Sequence, residues 1–235
     1  ARRRPRAGLP RNGSTFLTRR SFRFIAGLGL CLSLSVAPGC RLVPQAAPAP
    51  VPATSSSSAG RPLPPLFDDI ERRTFDYFWE TTPAATGLAP DRHPSRPFSS
   101  VAAIGFALTA YPVGVERGWV PRAQAAERTR DALRFLRDAP AGPEARGKSA
   151  YRGFYYHFLD MTTGRRANLC ELSTVDSGFL LAGMLAAGMY FDQDSEGERE
   201  IRRLADALYR RADWQWACDR GATVTHGWTP ESGFL

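Results

Sequence analysis

Lysine is almost missing from this 235-residue sequence, since Lys148 is the one basic residue among 31 that is not arginine. Acidic residues are missing from residues 1–66, which hold ten Arg, whereas residues 67–235 carry 21 basic and 23 acidic groups. The formal charge of +8 therefore belongs to the leader, and the body is slightly acidic. A nucleic-acid partner needs positive charge on the folded surface, so that class is excluded. Four cysteines are too few for a disulfide-dense miniprotein. Long hydrophobic runs are lacking as well: the apolar stretch Phe24 to Ala37 reaches about 21 Å as a helix, short of a ~30 Å hydrocarbon core. No Gly-rich loop ends in Lys, no dinucleotide fingerprint occurs and no nucleophile elbow surrounds a serine, so nothing supports nucleotide or serine-hydrolase chemistry. The three histidines, His93, His157 and His226, have no ligand spacing, so neither a metal nor a cofactor is expected.

What is present begins with a leader over residues 1–40. An Arg-rich start, the apolar stretch and the ending Ala37-Pro38-Gly39-Cys40 follow the grammar of an export signal. Thr18-Arg19-Arg20-Ser21-Phe22 resembles the twin-arginine export motif. Cys40 sits where a lipobox cysteine would be lipidated, and the same residues also suit ordinary cleavage, so a lipid anchor and plain secretion stay open. Either reading places the body outside the cytoplasm, in the periplasm or envelope. Residues 41–65 form a Pro- and Ser-rich linker whose composition cannot bury enough apolar surface to offset chain entropy.

From residue 66 the hydrophobic pattern alternates between two kinds of helix. Leu66–Glu80 is amphipathic with Phe67, Ile70, Thr74, Tyr77 and Phe78 on one stripe, and Ser99–Tyr111 has no charged face. A third, opened by Pro121 and ending near Asp138, is amphipathic; Ser173–Phe191 is apolar again; Glu196–Arg211 is amphipathic. Apolar helices inside and amphipathic ones outside are the order of an all-α toroid built from helical hairpins, with a helical solenoid as the competitor. No convincing strand alternation occurs, although Tyr151–Phe158 could be extended.

The loops leading into the apolar helices collect acids, aromatics and histidines. Rings stack on pyranose faces and paired carboxyl groups act as acid and base, which is the equipment of saccharide binding and cleavage. Each candidate also has a structural reading. Ser173-Thr174-Val175-Asp176 matches a capping box, so Asp176 could serve the backbone alone; Glu171, just before it, is freer. Asp91 and Arg92 could brace their own loop, Asp160 could end its segment before Thr163-Gly164, and His157 could be a packed histidine. Cys170 and Cys218 could be bridged or remain thiols.

In order along residues 66–235, the strings TFDYFW (74–79), GLAPDR (87–92), SSVAAIGF (99–106), GFYYHFLD (153–160), ELSTVD (171–176) and GWTPESGF (227–234) resemble the bacterial glucoamylase-like family, which includes endo-β-1,2-glucanases and regions of cyclic β-1,2-glucan synthases. The resemblance implies an (α/α)6 toroid and inverting hydrolysis of a β-glucan, an oligo- or polysaccharide, at one mouth of the barrel. It carries over Glu171, Asp176, Asp160 and Glu231 as catalytic candidates, and Asp91, Arg92, Tyr155, His157, Trp228 and Phe234 as substrate-binding ones. A six-hairpin toroid has twelve helices and five are counted, so the expected architecture is an incomplete (α/α)6 toroid from the front of a larger protein, inactive by itself. The alternative function is an envelope protein that holds glycans without cleaving them. Nothing in the sequence sets an oligomeric state.

Overall fold

Proline and serine set where the helices begin. The computed structural model describes residues 64–235, so the export signal, Cys40 and nearly all of the linker lie outside the described residues. Helix α1 (Pro65–Thr81) starts with proline at a first-turn position, where its missing N–H leaves no further donor unsatisfied. Strand β1 (Ser99–Ser100) leads directly into α2 (Val101–Glu116), and α3 (Arg122–Asp138) follows Pro121. Four short strands come next, β2 (Ala150–Tyr151), β3 (Phe154–Tyr155), β4 (Phe158–Leu159) and β5 (Leu172–Ser173). Helix α4 (Thr174–Tyr190) is capped by Ser173 and α5 (Glu196–Arg210) by Ser195, each serine oxygen accepting the N–H three residues on. A one-turn α6 (Trp214–Ala217) and strands β6 (Gly227–Thr229) and β7 (Gly233–Phe234) end the chain.

The expected alternation of helix types is also the spatial order. The apolar α2 and α4 pack against each other, the amphipathic α3 and α5 pack as a second layer, and α5 and α1 lie against α4 and α2 respectively. Close approach of α2 and α4 depends on glycine. A Cβ at Gly105 would collide with the Phe179 carbonyl oxygen and come within 2.8 Å of the Leu180 Cα, and one at Gly183 would collide with the Gly105 carbonyl. These are backbone atoms, which no rotamer change can move aside.

Three expectations need correction. Helix α2 runs through Pro112 to Glu116 rather than stopping at Tyr111. Pro112 cannot donate to Leu108, but the last turn is held by Phe75, whose ring fills the space a Cβ at Gly114 would take. On α1 the buried apolar residue is Phe75, stacked on Trp79 with centroids 5.5 Å apart, whereas Phe67, Ile70 and Thr74 are exposed along a groove of ≈ 600 Å³ shared with Phe106 and Val113 of α2. Finally, the loops contain strands, although of two or three residues only: β1 pairs with β4, β2 with β3, and β6 with both β5 and β7, all antiparallel. Pairs this short form because helix starts and connecting loops lie side by side and must satisfy their backbone groups.

The apolar helices are not covered all round. Val175, Phe179, Ala182, Ala186 and Met189 form an exposed stripe on α4, continued on α2 by Phe106, whose ring lies 5.5 Å from that of Phe179. Among the described residues no helix is long and apolar enough to cross a membrane.

Where α3 meets α5, Arg122 donates to both oxygens of Glu198, at 2.9 Å each, and to the Tyr190 carbonyl at 2.8 Å. The Glu198 side chain is 5% exposed, and the Arg122 hydrogen bonds hold its carboxyl below the usual glutamate range.

Two expected outcomes follow from this packing. Gly183→Ala should lower stability by roughly 2 kcal/mol through overpacking, although the helix propensity of Ala alone would add about 1 kcal/mol; Gly178→Ala, on the same helix with open space around it, should gain stability. Thermal melts of the two variants read the sign directly. Glu198→Gln should cost about 3 kcal/mol at neutral pH by breaking a buried pair. Because the folded-state pKa of Glu198 is depressed, its contribution is complete above the ordinary value of about 4.3 and is lost as pH falls through the folded value. Urea titrations between neutral pH and pH 3 should therefore show the wild type and variant converging in acid.

Candidate functional site

A helix start leaves its first N–H groups without intrahelical acceptors, and here extended loops supply them. The Val101 N–H of α2 donates to the His157 carbonyl at 3.1 Å, and the Thr174 N–H of α4 donates to the His226 carbonyl at 3.3 Å. The His157 N–H in turn donates to the Glu171 carbonyl at 2.9 Å. Residues 157, 171 and 226–227 are thereby drawn together at the start of the two apolar helices.

Side chains converge at the same place. His157 Nδ1 lies 2.8 Å from Glu171 Oε1, and His157 Nε2 lies 3.6 Å from Asp176 Oδ1. An ionised carboxylate only accepts, so the Nδ1 contact carries the imidazole proton when Glu171 is ionised. Ser173 Oγ accepts from the Asp176 N–H at 3.1 Å and donates to Asp176 Oδ2 at 2.5 Å. The capping-box reading of Asp176 is thus half right: the serine caps the backbone, while the Asp176 carboxylate takes the serine hydroxyl and faces His157. One ligand-type atom from each of His157, Glu171 and Asp176 falls within 4.8 Å of the others, a donor set that could ligate a divalent cation.

The remaining candidates fall elsewhere. Asp160 accepts from the Thr162 N–H, the Thr163 N–H and the Thr163 hydroxyl, at 3.1, 2.7 and 2.8 Å; those bonds, led by the Thr163 N–H, hold its carboxyl below the usual range. It is a turn-forming group. Glu231 pairs through both oxygens with Arg166, at 2.8 and 3.0 Å, and this pairing lowers its pKa. Asp91 is bonded to Arg92 at 2.9 Å, the brace that the sequence allowed. That loop reaches the cluster through rings: Arg92 lies over Phe98, Phe98 is 4.2 Å from Phe158, and Phe158 stacks on His157 at 3.9 Å.

Tyr155, Trp228 and Phe234 are displaced from the site by strand geometry. Tyr155 is buried, its hydroxyl donating to the Leu136 carbonyl at 2.9 Å, and burial raises its pKa. Trp228 is paired with Leu172 on one side and Phe234 on the other, so all three side chains share a face. Leu172 is fully buried, and Glu171, its neighbour in the extended segment, points to the other face. Trp228 and Phe234 instead pack with Tyr151 and Trp216, at centroid distances of 4.8–5.8 Å. The two described cysteines are free thiols; Cys170 Sγ exchanges hydrogen bonds with the Phe158 backbone, and burial pushes its pKa up.

Sequence reasoning missed Arg166, whose side chain is 2% exposed. Besides Glu231 it donates to the carbonyls of Cys170, Ala145 and Leu169, at 2.6, 3.2 and 2.8 Å, and its guanidinium lies 4.7 Å from the Tyr156 ring centroid. One residue thus ties its own loop to the loop after α3 and to the final hairpin. An arginine within Gly164-Arg165-Arg166 carries no local signal for that role.

Asp160→Ala should cost about 1 kcal/mol, as for loss of a helix cap, visible as a lower melting temperature, and should leave the His157–Glu171 contact intact in a crystal structure of the variant.

No family model matches the chain. An exo β-1,2-glucooligosaccharide sophorohydrolase of Parabacteroides distasonis is 31% identical over 159 residues, 64% of this chain and 20% of that protein. Among solved structures, a glucoamylase-like protein of Bacteroides uniformis has TM-score 0.64 at 30% identity, over 74% of this chain and 42% of its own. A β-1,2-glucanase from Parabacteroides distasonis has TM-score 0.63 at 28% identity, over 72% of this chain and 24% of its own. The chain therefore spans about a fifth of the curated relative and less than half of either structure. Within that span, it shares both sequence and fold with glucoamylase-like and β-1,2-glucanase proteins.

Proposed function

We propose that this protein is an exported glycoside hydrolase acting on a β-glucan, with β-1,2-linked glucan favoured, and that Glu171 is one of its reacting carboxyl groups. The observation that carries this reading is the Glu171–His157–Asp176 cluster at the start of α4, in a chain similar to proteins that act on β-1,2-linked glucans. Export rests on the leader: eight arginines without an acid, then an apolar stretch too short to span a membrane.

The spacing refines the roles. Inversion needs carboxyl groups about 6.5–9.5 Å apart, with a water between them. Ligand-type oxygens of Glu171 and Asp176 come within 4.8 Å of each other and share one imidazole, so the two act as a single unit on one side of the scissile bond. The opposing carboxyl group comes from outside this cluster. Asp160 and Glu231 are poor choices for it, being held by a turn and by Arg166.

The exposed stripe of α2 and α4, with the groove beside α1, fits the inner face of an (α/α)6 toroid onto which further helices pack. Residues 64–235 alone are then expected to be inactive.

The test is reducing-end release from β-1,2-, β-1,3- and α-1,4-glucans by the protein expressed from its complete reading frame. Release from β-1,2-glucan is expected, with Glu171→Gln reducing the rate about 1000-fold while Glu231→Gln and Asp160→Asn stay within about tenfold of wild type. Failure to cleave any glucan by a folded protein would overturn the hydrolase reading in favour of glycan holding.

A further inference from the structure

Glu171 is held from two sides, and the manner of its holding assigns a role to a residue outside the reacting pair. The inference rests on the hydrolase reading above. We propose that His157 is a positioning residue: together with the bare Cα of Gly227 it fixes one oxygen of Glu171 and leaves the other for substrate, and it is not itself a substrate-binding group.

Four observations converge. His157 meets Glu171 twice, through its N–H to the Glu171 carbonyl at 2.9 Å and through Nδ1 to Oε1 at 2.8 Å. Its own backbone is fixed from the other direction by the Val101 N–H at the start of α2, and its ring is stacked at 19° on Phe158. The imidazole therefore has little freedom to turn towards a sugar. Glu171 Oε2 has no hydrogen-bond partner among the described residues, although the side chain is only 20% exposed. Lastly, a Cβ on residue 227 would lie 3.1 Å from Glu171 Cγ and 2.7 Å from the Leu172 carbonyl oxygen. Glycine at this position leaves the Glu171 side chain its room.

The chemistry that follows is simple. A carboxyl group that transfers a proton in the transition state must present one oxygen in a fixed direction, and misplacement by about 1 Å can cost 100-fold in rate. Nδ1–H occupies Oε1, so Oε2 is the oxygen presented. Asp176 stands at the opposite ring nitrogen, at 3.6 Å, and is itself tied to Ser173. At that distance it makes no hydrogen bond to the ring, so the Nδ1 contact with Glu171 is the one that fixes the imidazole.

The experiment has two arms. In the full-length protein, His157→Ala should lower kcat about 100-fold with KM changed less than about threefold. His157→Asn, whose amide nitrogen takes the place of Nδ1, should recover most of that loss, and His157→Gln, which reaches the Nε2 position instead, should not. A raised KM at unchanged kcat would overturn the proposal by showing a substrate-binding histidine. Equal losses in all three variants with equally lowered melting temperatures would overturn it in favour of plain packing. The second arm needs no turnover: ¹⁵N-histidine spectra of the full-length protein should show His157 fixed with its proton on Nδ1, and Glu171→Ala should release it to tautomer averaging. An imidazole already averaging in the wild type overturns the clamp. If the wild type cleaves no glucan yet its tautomer is fixed as described, the hydrolase reading fails while the clamp stands.

Discussion

The fold depends on one constraint, the backbone-to-backbone approach of α2 and α4 where Gly105 and Gly183 meet. Side chains of ordinary size would separate these helices by the width of a methyl group or more, and everything built on their starts would separate with them. The α4 start carries Ser173, Thr174 and Asp176, and the α2 start receives His157. Contact between Gly105, about one turn past the α2 start, and Gly183, about two and a half turns past the α4 start, therefore sets the distance across the site. Helix packing and site geometry are here the same quantity measured at two places.

Helix starts also explain why strands occur in a body dominated by helices. Both apolar helices begin with N–H groups that their own turns cannot satisfy, and the loops beside them supply carbonyls from His157 and His226. Once a loop lies there, its neighbours pair with the next loop, which produces β1 with β4 and β6 between β5 and β7. The sheets are thus a by-product of helix capping. Their register nonetheless decides which face each side chain takes, separating Glu171 from Trp228.

The helices were legible in the sequence because their period persists over four turns or more. Alternation of apolar and amphipathic segments gave the two layers, and the capping serine at 173 marked the start of α4. Glu171, His157 and Asp176 were legible too, as acids and a ring in the loop that enters an apolar helix. Tyr155, Trp228 and Phe234 were not, because a strand of two or three residues is too short to show an alternation and its facing cannot be read without its partner. On α1, seven aromatic and apolar residues crowd the helix and allow more than one buried stripe; the choice fell to Phe75 because Gly114 of α2 opens a space for it. Arg166 escaped notice for a different reason, since its partners are mostly carbonyl oxygens, which every residue type possesses.

A grip on peptide oxygens constrains these loops differently from a grip on side chains. Arg166 takes hold of Ala145, Leu169 and Cys170 by their peptide oxygens rather than by their side chains. At those three points the guanidinium reads only the main chain and is indifferent to residue type, whereas Glu231 and Tyr156 meet it through their side chains. Residues 145, 169 and 170 can therefore change type without loosening this grip, provided that their backbone paths are kept and that the arginine and its partner Glu231 remain.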